Sequence, residues 1–154
     1  MSVTEEPTIR IIATNRRARH DYHILEIFEV GVVLQGTEVK SVRAGQVSFQ
    51  DSYATVQGGE LFLIHLHISP FEKGNVFNHD PVRTRKLLAR KREIRKLSQY
   101  SLEKGLTLIP LQLYFKGPYL KIELGVCRGK KLYDKRQSVK EREIQRDIAR
   151  NRLP

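Results

Sequence analysis

The sequence predicts a mainly β fold, a small closed antiparallel barrel interrupted by helices and followed by a basic C-terminal tail. Three observations predict it. Between Tyr22 and Gly45 the apolar spacing changes from strand-like to helix-like at Gln35-Gly36. Pairs of β-rich runs flank the turn signals Gly58-Gly59 and Lys116-Gly117-Pro118. Beyond Cys127 the apolar spacing breaks down while cations accumulate. A chain of 154 residues with 40% hydrophobic content can bury one core, so one domain with tails is expected.

Residues 1–8 carry no apolar pattern and are expected to be disordered. Ile9, Ile11 and Ile12 add a short apolar contact, and Asn15-Arg16-Arg17-Ala18-Arg19-His20 forms a basic cluster leading into a long strand. From Ile24 to Leu34 the apolar residues are too dense for an exposed strand, which predicts a buried one. Gly31 inside it marks a bulge or bend. After Gly36, Val39 and Val42 share a helical face; Thr37 is the expected cap, Gly45 the stop, and Glu38, Lys40 and Arg43 the outward charges.

Residues 46–57 and 61–68 then predict a hairpin across Gly58-Gly59, and 71–81 a loop. Asp80 and Pro81 have the chemistry of a helix start, with Leu87, Leu88, Ile94 and Leu97 as a narrow apolar face. Arg83, Arg85, Lys86, Arg90, Lys91, Arg92, Arg95 and Lys96, opposed only by Glu93, would make that helix a basic ridge. A second short helix over 98–104 would close at Gly105. In the last hairpin, Thr107, Ile109, Leu111, Leu113 and Phe115 alternate on one strand, and Leu120, Ile122, Leu124 and Val126 on the next. Five or six short antiparallel strands around a helical insertion suit a barrel of the oligonucleotide-binding kind over 9–127. The tail, 128–154, holds ten Lys+Arg against four acids; Ser138 and Glu141 form a capping box, so it is expected to be disordered alone and helical when bound.

Charge indicates the partner. A net charge of +11 favours a polyanion, nucleic acid first and an acidic membrane surface second. Of the 28 Lys+Arg, 22 fall in the N-terminal cluster, the basic helix and the tail. The lone Cys127 excludes an internal disulfide, and no leader pattern or membrane-length apolar run is present, so a cytoplasmic protein is expected. His65, His67, His79 and Asp80 could be assembled into a metal-dependent nuclease, but ligand pairs at helical spacing and cysteine partners are missing. No nucleophile elbow, phosphate-binding loop or dinucleotide fingerprint is found, so neither catalysis nor a cofactor is expected. Tyr22, Tyr119 and Tyr133 stand beside cations and could stack on unpaired bases, although a half-buried tyrosine is the commoner use. Glu29, an acid in a basic chain, could accept hydrogen bonds from base edges or simply pair with an arginine.

Five stretches carry a resemblance: NRRARHDY at 15–22, FEVGVVLQGTEVKSVRAG at 28–45, DPVRTRKLL at 80–88, EKGLTLIPLQLYFK at 103–116 and GVCRGKKLYDKR at 125–136. The chain resembles the SsrA-binding protein (small protein B) family, which partners transfer-messenger RNA (tmRNA) in bacteria. The resemblance implies an oligonucleotide-binding-like barrel with about three helices that grips the tRNA-like part of tmRNA. It further implies delivery with elongation factor Tu to stalled ribosomes, and a tail that enters the empty decoding centre and mRNA channel. Carried over by position, the RNA contacts fall on His20, Glu29, Leu88 and Lys121, with Arg16, Arg17 and Arg19 beside them. The ribosome-acting segment falls on Gly129, Lys130, Lys131, Tyr133, Asp134, Lys135 and Arg136. Tyr133 and Arg90 depart from the residues common in the family. With no long apolar edge or heptad, a monomer is expected.

Overall fold

The structure, a computed structural model, describes residues 8–71 and 78–130. Along the chain these form β1 (Ile9–Thr14), α1 (Arg16–Asp21), β2 (Tyr22–Val32), α2 (Gly36–Arg43), β3 (Val47–Ser48), β4 (Tyr53–Gln57) and β5 (Glu60–Ile64). β6 (His67–Ile68), β7 (Arg85–Leu88), α3 (Lys91–Leu102), β8 (Leu106–Lys116) and β9 (Tyr119–Gly129) follow. All the pairings are antiparallel, and they close a ring: β8 to β4, β5, β7, β2, β9 and back to β8. Among the described residues the fold is mainly β with three helices, as expected. β1 lies against the second half of β8, from Gln112 to Lys116, and β3 pairs only with β6. Among the described residues no helix is long and apolar enough to cross a membrane.

The interior of the ring is filled by Phe28, Val30, Leu61, Leu63, Leu87, Leu108, Leu113, Ile122, Leu124 and Val126. Val42 of α2 and Leu97 of α3, both fully buried, join the same cluster. A second cluster, Ala18, Ile109, Leu111 and Cys127 with Tyr22 and Ile24, lies on the other face of the same strands, beneath α1. Neighbouring strand residues point to opposite faces, so Val126 belongs to the interior and Cys127 to the outside cluster. A register shift between Pro110 and Gln112 switches the parity of β8. Before it, Leu106 and Leu108 face inward; after it, Leu113 and Phe115 do. The predicted single face through Thr107, Ile109, Leu111, Leu113 and Phe115 is therefore split in two, with Ile109 and Leu111 turned outward under α1. Gly125 is needed beneath them, because a Cβ there would come within 2.7 Å of Leu111 Cδ1.

Several expected elements differ. β2 is half-buried: Leu25 and Ile27 are about half exposed, at 51% and 48%. The basic cluster is itself a helix, α1, whose cap Asn15 accepts a hydrogen bond from the Ala18 N–H at 3.2 Å. The expected 46–57 strand breaks at Asp51 and the 61–68 strand at His65, both at positive φ, near 60°. The turn Gly58-Gly59 is as predicted, with φ of 58° and 76°. The largest correction concerns 81–97. Arg85–Leu88 is a strand of the ring, and α3 begins after its cap Arg90 and runs unbroken to Leu102, absorbing the expected second helix. Arg85 and Leu87 are buried while Lys86 and Leu88 are exposed, a period of two that an arginine on the buried face conceals. Asp80 accepts from the Val82 N–H at 3.0 Å and caps a turn instead.

Glu38 explains the buried arginine. Expected on the surface, it is fully buried, because α2 starts from Gln35, whose N–H donates to Glu38 Oε1 at 2.8 Å. The Arg85 Nε donates to Glu38 Oε2 at 2.5 Å, and the Arg83 Nε to Oε1 at 3.0 Å. Remaining Arg85 donors reach the carbonyls of Leu66, Arg83 and Pro81. Burial pushes the Glu38 carboxyl up, but the donors on Arg83, Gln35 and Arg85 reverse this and hold it below its ordinary value. A carboxyl with a lowered folded-state pKa contributes stability above its unfolded pKa and loses it as pH falls through the folded value. Glu38→Ala strands a buried guanidinium and is expected to cost ~3–5 kcal/mol in urea unfolding at neutral pH. The difference between wild type and Glu38→Gln should shrink as the pH is lowered below about 4.

Candidate nucleic-acid interface

Because Phe28 and Val30 fill the interior, Glu29 points outward. Strand register then lays out one row on the outer face: Leu88 of β7, Gly31 of β2, Lys121 of β9, Tyr114 of β8 and Ile11 of β1. Next to it runs a second, with Glu29 opposite Glu123, Glu123 opposite Gln112, and Gln112 opposite Thr14. Of the positions carried over, Glu29, Leu88 and Lys121 are thereby brought together. Leu88 is 52% exposed, and the missing Cβ at Gly31 lets it lie close over β2, since a Cβ there would meet Leu88 Cβ at 3.3 Å.

Both oxygens of Glu29 are occupied. The Tyr114 hydroxyl donates to Oε2 and the Lys116 Nζ to Oε1 at 3.2 Å. Tyr114 foremost, then Lys116 and the charge of Lys121, hold the carboxyl below its ordinary range against the opposing effect of burial. Two carboxylates directly opposite across a strand pair repel, so these donors offset the cost of facing Glu123. The result is an ionised acceptor held by a hydroxyl and a lysine, with a second lysine nearby.

α1 carries the other predicted group. Asn15 fixes it to the β8 bulge, donating from its side chain to the Pro110 carbonyl at 2.9 Å and from its backbone to Leu111 at 2.7 Å. Ala18 faces inward, which leaves Arg16, Arg17 and Arg19 exposed and His20 partly so. The His20 ring bonds Asp21 at 2.9 Å, and Arg17 lies 3.7 Å from the same carboxylate. A groove of about 770 Å³ separates α1 from residues 47–52. Outward positions along β9 run Cys127, Gly125, Glu123, Lys121, so the face under α1 continues into the face that carries Glu29. Lys130 donates its N–H to the Asp21 carbonyl at 2.9 Å, so β9 ends beside α1. Gly129 and Lys130 are described there; Lys131, Tyr133, Asp134, Lys135, Arg136 and the expected tail helix lie outside the described residues, as do 1–7 of the N-terminal segment.

The predicted basic ridge is largely dispersed. Arg83 and Arg85 serve Glu38, Lys86 pairs with Glu60 at 3.2 Å, and Lys96 pairs with Glu26 at 2.8 Å. Arg90, Lys91, Arg92 and Arg95 remain exposed at the start of α3. Tyr22 is half-buried under α1, whereas Tyr119 is 68% exposed. His79 is enclosed between the Thr37 hydroxyl and the Ile68 carbonyl, at 2.9 and 2.8 Å. Among the described residues no three His, Cys, Asp or Glu side chains converge as metal ligands. Burial pushes the Cys127 thiol up to about 11, away from the reactive thiolate. The sequence gives no sign of the part played by Tyr114, which looks like an ordinary strand residue, or of Lys116, which reads as part of the turn with Gly117-Pro118. Sequence reasoning also missed α1, although Asn15 before the cluster is a cap signal.

Fold and face together define a small antiparallel barrel whose outer wall holds the Glu29 carboxylate beside Lys116 and Lys121 and opposite Glu123. The SmpB protein family model matches residues 12–153, and the chain belongs to that family. It is 59% identical over 139 residues to the SsrA-binding protein of Carboxydothermus hydrogenoformans, covering 90% of this chain and 93% of that one. The SsrA-binding protein of Geobacillus thermodenitrificans is 57% identical over 141 residues, covering 92% and 91%. A solved structure described as "tmRNA-SmpB: a journey to the center of the bacterial ribosome" matches with a TM-score of 0.68 at 55% identity, over 78% of this chain and 85% of that one.

Leu88 and Lys121 contribute their side chains to the outer face and not to the ring interior. Leu88→Ala and Lys121→Ala should therefore each change unfolding free energy by no more than ~0.5 kcal/mol. Parallel denaturation curves check this, and a larger loss would mean that the wall depends on them.

Proposed function

We propose that the chain is a tmRNA-binding protein of trans-translation, and not an enzyme. Its barrel binds the tRNA-like domain of tmRNA through the outer face of β2, β7 and β9 together with α1. The observation that carries this reading is the convergence of Glu29, Leu88 and Lys121 on one open wall, in a chain whose relatives are named SsrA-binding proteins. Lys121 and the arginines of α1 contact phosphates, which fixes orientation. Glu29 repels phosphate and accepts from N–H or O–H donors of bases and ribose, which supplies selectivity. Leu88 packs against an unstacked base, and His20 lies where β2 begins beside the arginines.

On this reading the RNA-bound protein works with elongation factor Tu at stalled ribosomes in the bacterial cytoplasm, as a monomer. The tail, with Gly129, Lys130, Lys131, Tyr133, Asp134, Lys135 and Arg136, acts in the empty decoding centre and mRNA channel. On this reading an RNA-gripping barrel, 9–127, and a ribosome-acting tail, 128–154, divide the work, with β9 carrying the barrel's strand pairing on through Arg128 to Gly129.

A second reading keeps the barrel but makes it a general RNA-binding or ribosomal protein. The four exposed cations Arg90, Lys91, Arg92 and Arg95 favour it. Titration of the tRNA-like fragment and of an ordinary tRNA at several salt concentrations separates the two. Purely electrostatic binding weakens both RNAs together, with log K falling by roughly 0.7–0.9 per phosphate contact per decade of salt. A preference for the tRNA-like fragment that survives high salt is expected. Truncation after Gly129 should leave that preference intact and abolish tagging on stalled ribosomes; loss of RNA affinity on truncation would contradict the division.

A further inference from the structure

We infer that Tyr114 is a positioning residue for RNA selection: its buried hydroxyl holds Glu29 in one orientation, so that the carboxylate's free lone pairs face base and ribose donors. The inference rests on the reading of Glu29 as an RNA contact. Tyr114 is only 4% exposed, and its ring is fixed within β8 between Ile11 of β1 and Lys121 of β9. Its hydroxyl donates to Glu29 Oε2, while Lys116 donates to Oε1.

The two donors differ in kind. Lys116 and Glu29 are both more than a third exposed, at 38% and 39%, so that ion pair is weakly held. The tyrosine is rigid, with its hydroxyl carried by a packed ring. An ionised carboxylate offers about four acceptor positions, and one donor on each oxygen leaves one free on each. Those free positions suit neighbouring N–H or O–H donors and are repelled by phosphate. A glutamate without the tyrosine would rotate among its rotamers, and RNA would have to order it on binding. Burial first, and then the hydrogen bond to Glu29 and its charge, push the Tyr114 phenol up, so it stays a donor at any physiological pH.

Tyr114→Phe keeps the ring and removes only the donor, and it is compared with Glu29→Gln and the double variant in the full chain. Carbon-13 labelling of the Glu29 carboxyl follows its titration, and the tRNA-like fragment of tmRNA is the probe for affinity at several salt concentrations. The expected result is a Glu29 carboxyl that titrates higher in Tyr114→Phe, and an affinity reduced about three- to tenfold. Because no phosphate contact is lost, the slope of log K against log salt should stay unchanged. In the Glu29→Gln background, Tyr114→Phe should produce little further loss. An equal loss in both backgrounds would overturn the inference, since Tyr114 would then act independently of Glu29. So would a shifted Glu29 titration with unchanged affinity. If Glu29→Gln itself leaves affinity intact, the underlying reading of Glu29 as an RNA contact fails first, and the inference fails with it.

Discussion

The buried pair of Glu38 and Arg85 is the constraint on which the rest of the molecule depends. Each side chain is fully enclosed, and each satisfies the other while Arg85 also gathers three backbone carbonyls. Replacing such a pair by apolar residues of similar volume is often neutral for stability, so its weight lies in geometry. A guanidinium fork has to meet a planar carboxylate and carbonyls from 66, 81 and 83 at once. That fixes α2 against the chain entering β7 and so sets the register in which β7 joins β5 to β2. A one-residue slip would exchange Leu87 and Leu88, emptying the core and burying the residue on the wall.

Closing the ring in that register is what makes the outer face. β2, β8 and β9 each serve two surfaces, with the core on one side and the α1 cluster or the open wall on the other. The bulges at Ile24/Glu26 and Pro110/Gln112 divide those tasks along each strand. Past the β2 bulge, Glu26 lies toward α3 and takes Lys96 and Tyr100, while Glu29 lies on the wall and takes Lys116 and Tyr114. Two glutamates three residues apart thus meet the same pair of residue types on opposite sides of one sheet. The first anchors a helix, and the second stays half-exposed at the surface.

Legibility in the sequence followed how much of each feature was local. The Gly58-Gly59 and Gly117 turns, the stop at Gly45 and the pairing of the final hairpin depend on short-range chemistry, and they are as expected. Glu38 and Arg85 misled because charged residues are almost never fully buried unless paired, and their partners lie 47 residues apart. With Arg85 taken as exposed, Leu87 and Leu88 seemed to start a helix, and the cations before Lys91 seemed to form a ridge. The split faces of β8 were hidden because a bulge changes parity without changing composition. Glu29 stands out as an acid in a basic chain, whereas Leu88 and Lys121 came only from the family resemblance; the adjacency of the three depends on strand register that no local pattern contains. Tyr114 had no signal of its own, since its role arises from a side chain 85 residues earlier.

On the proposed reading the wall formed by β2, β7 and β9 with α1 takes the RNA, while the cations of α3 do not direct it. Amide and methyl NMR mapping of the full chain, titrated with the tRNA-like fragment of tmRNA at moderate salt, tests this directly. The largest changes are expected at Glu29, Leu88, Lys121 and the α1 residues Arg16, Arg17, Arg19 and His20. Changes concentrated on Arg90, Lys91, Arg92 and Arg95, with the wall unmoved, would contradict it.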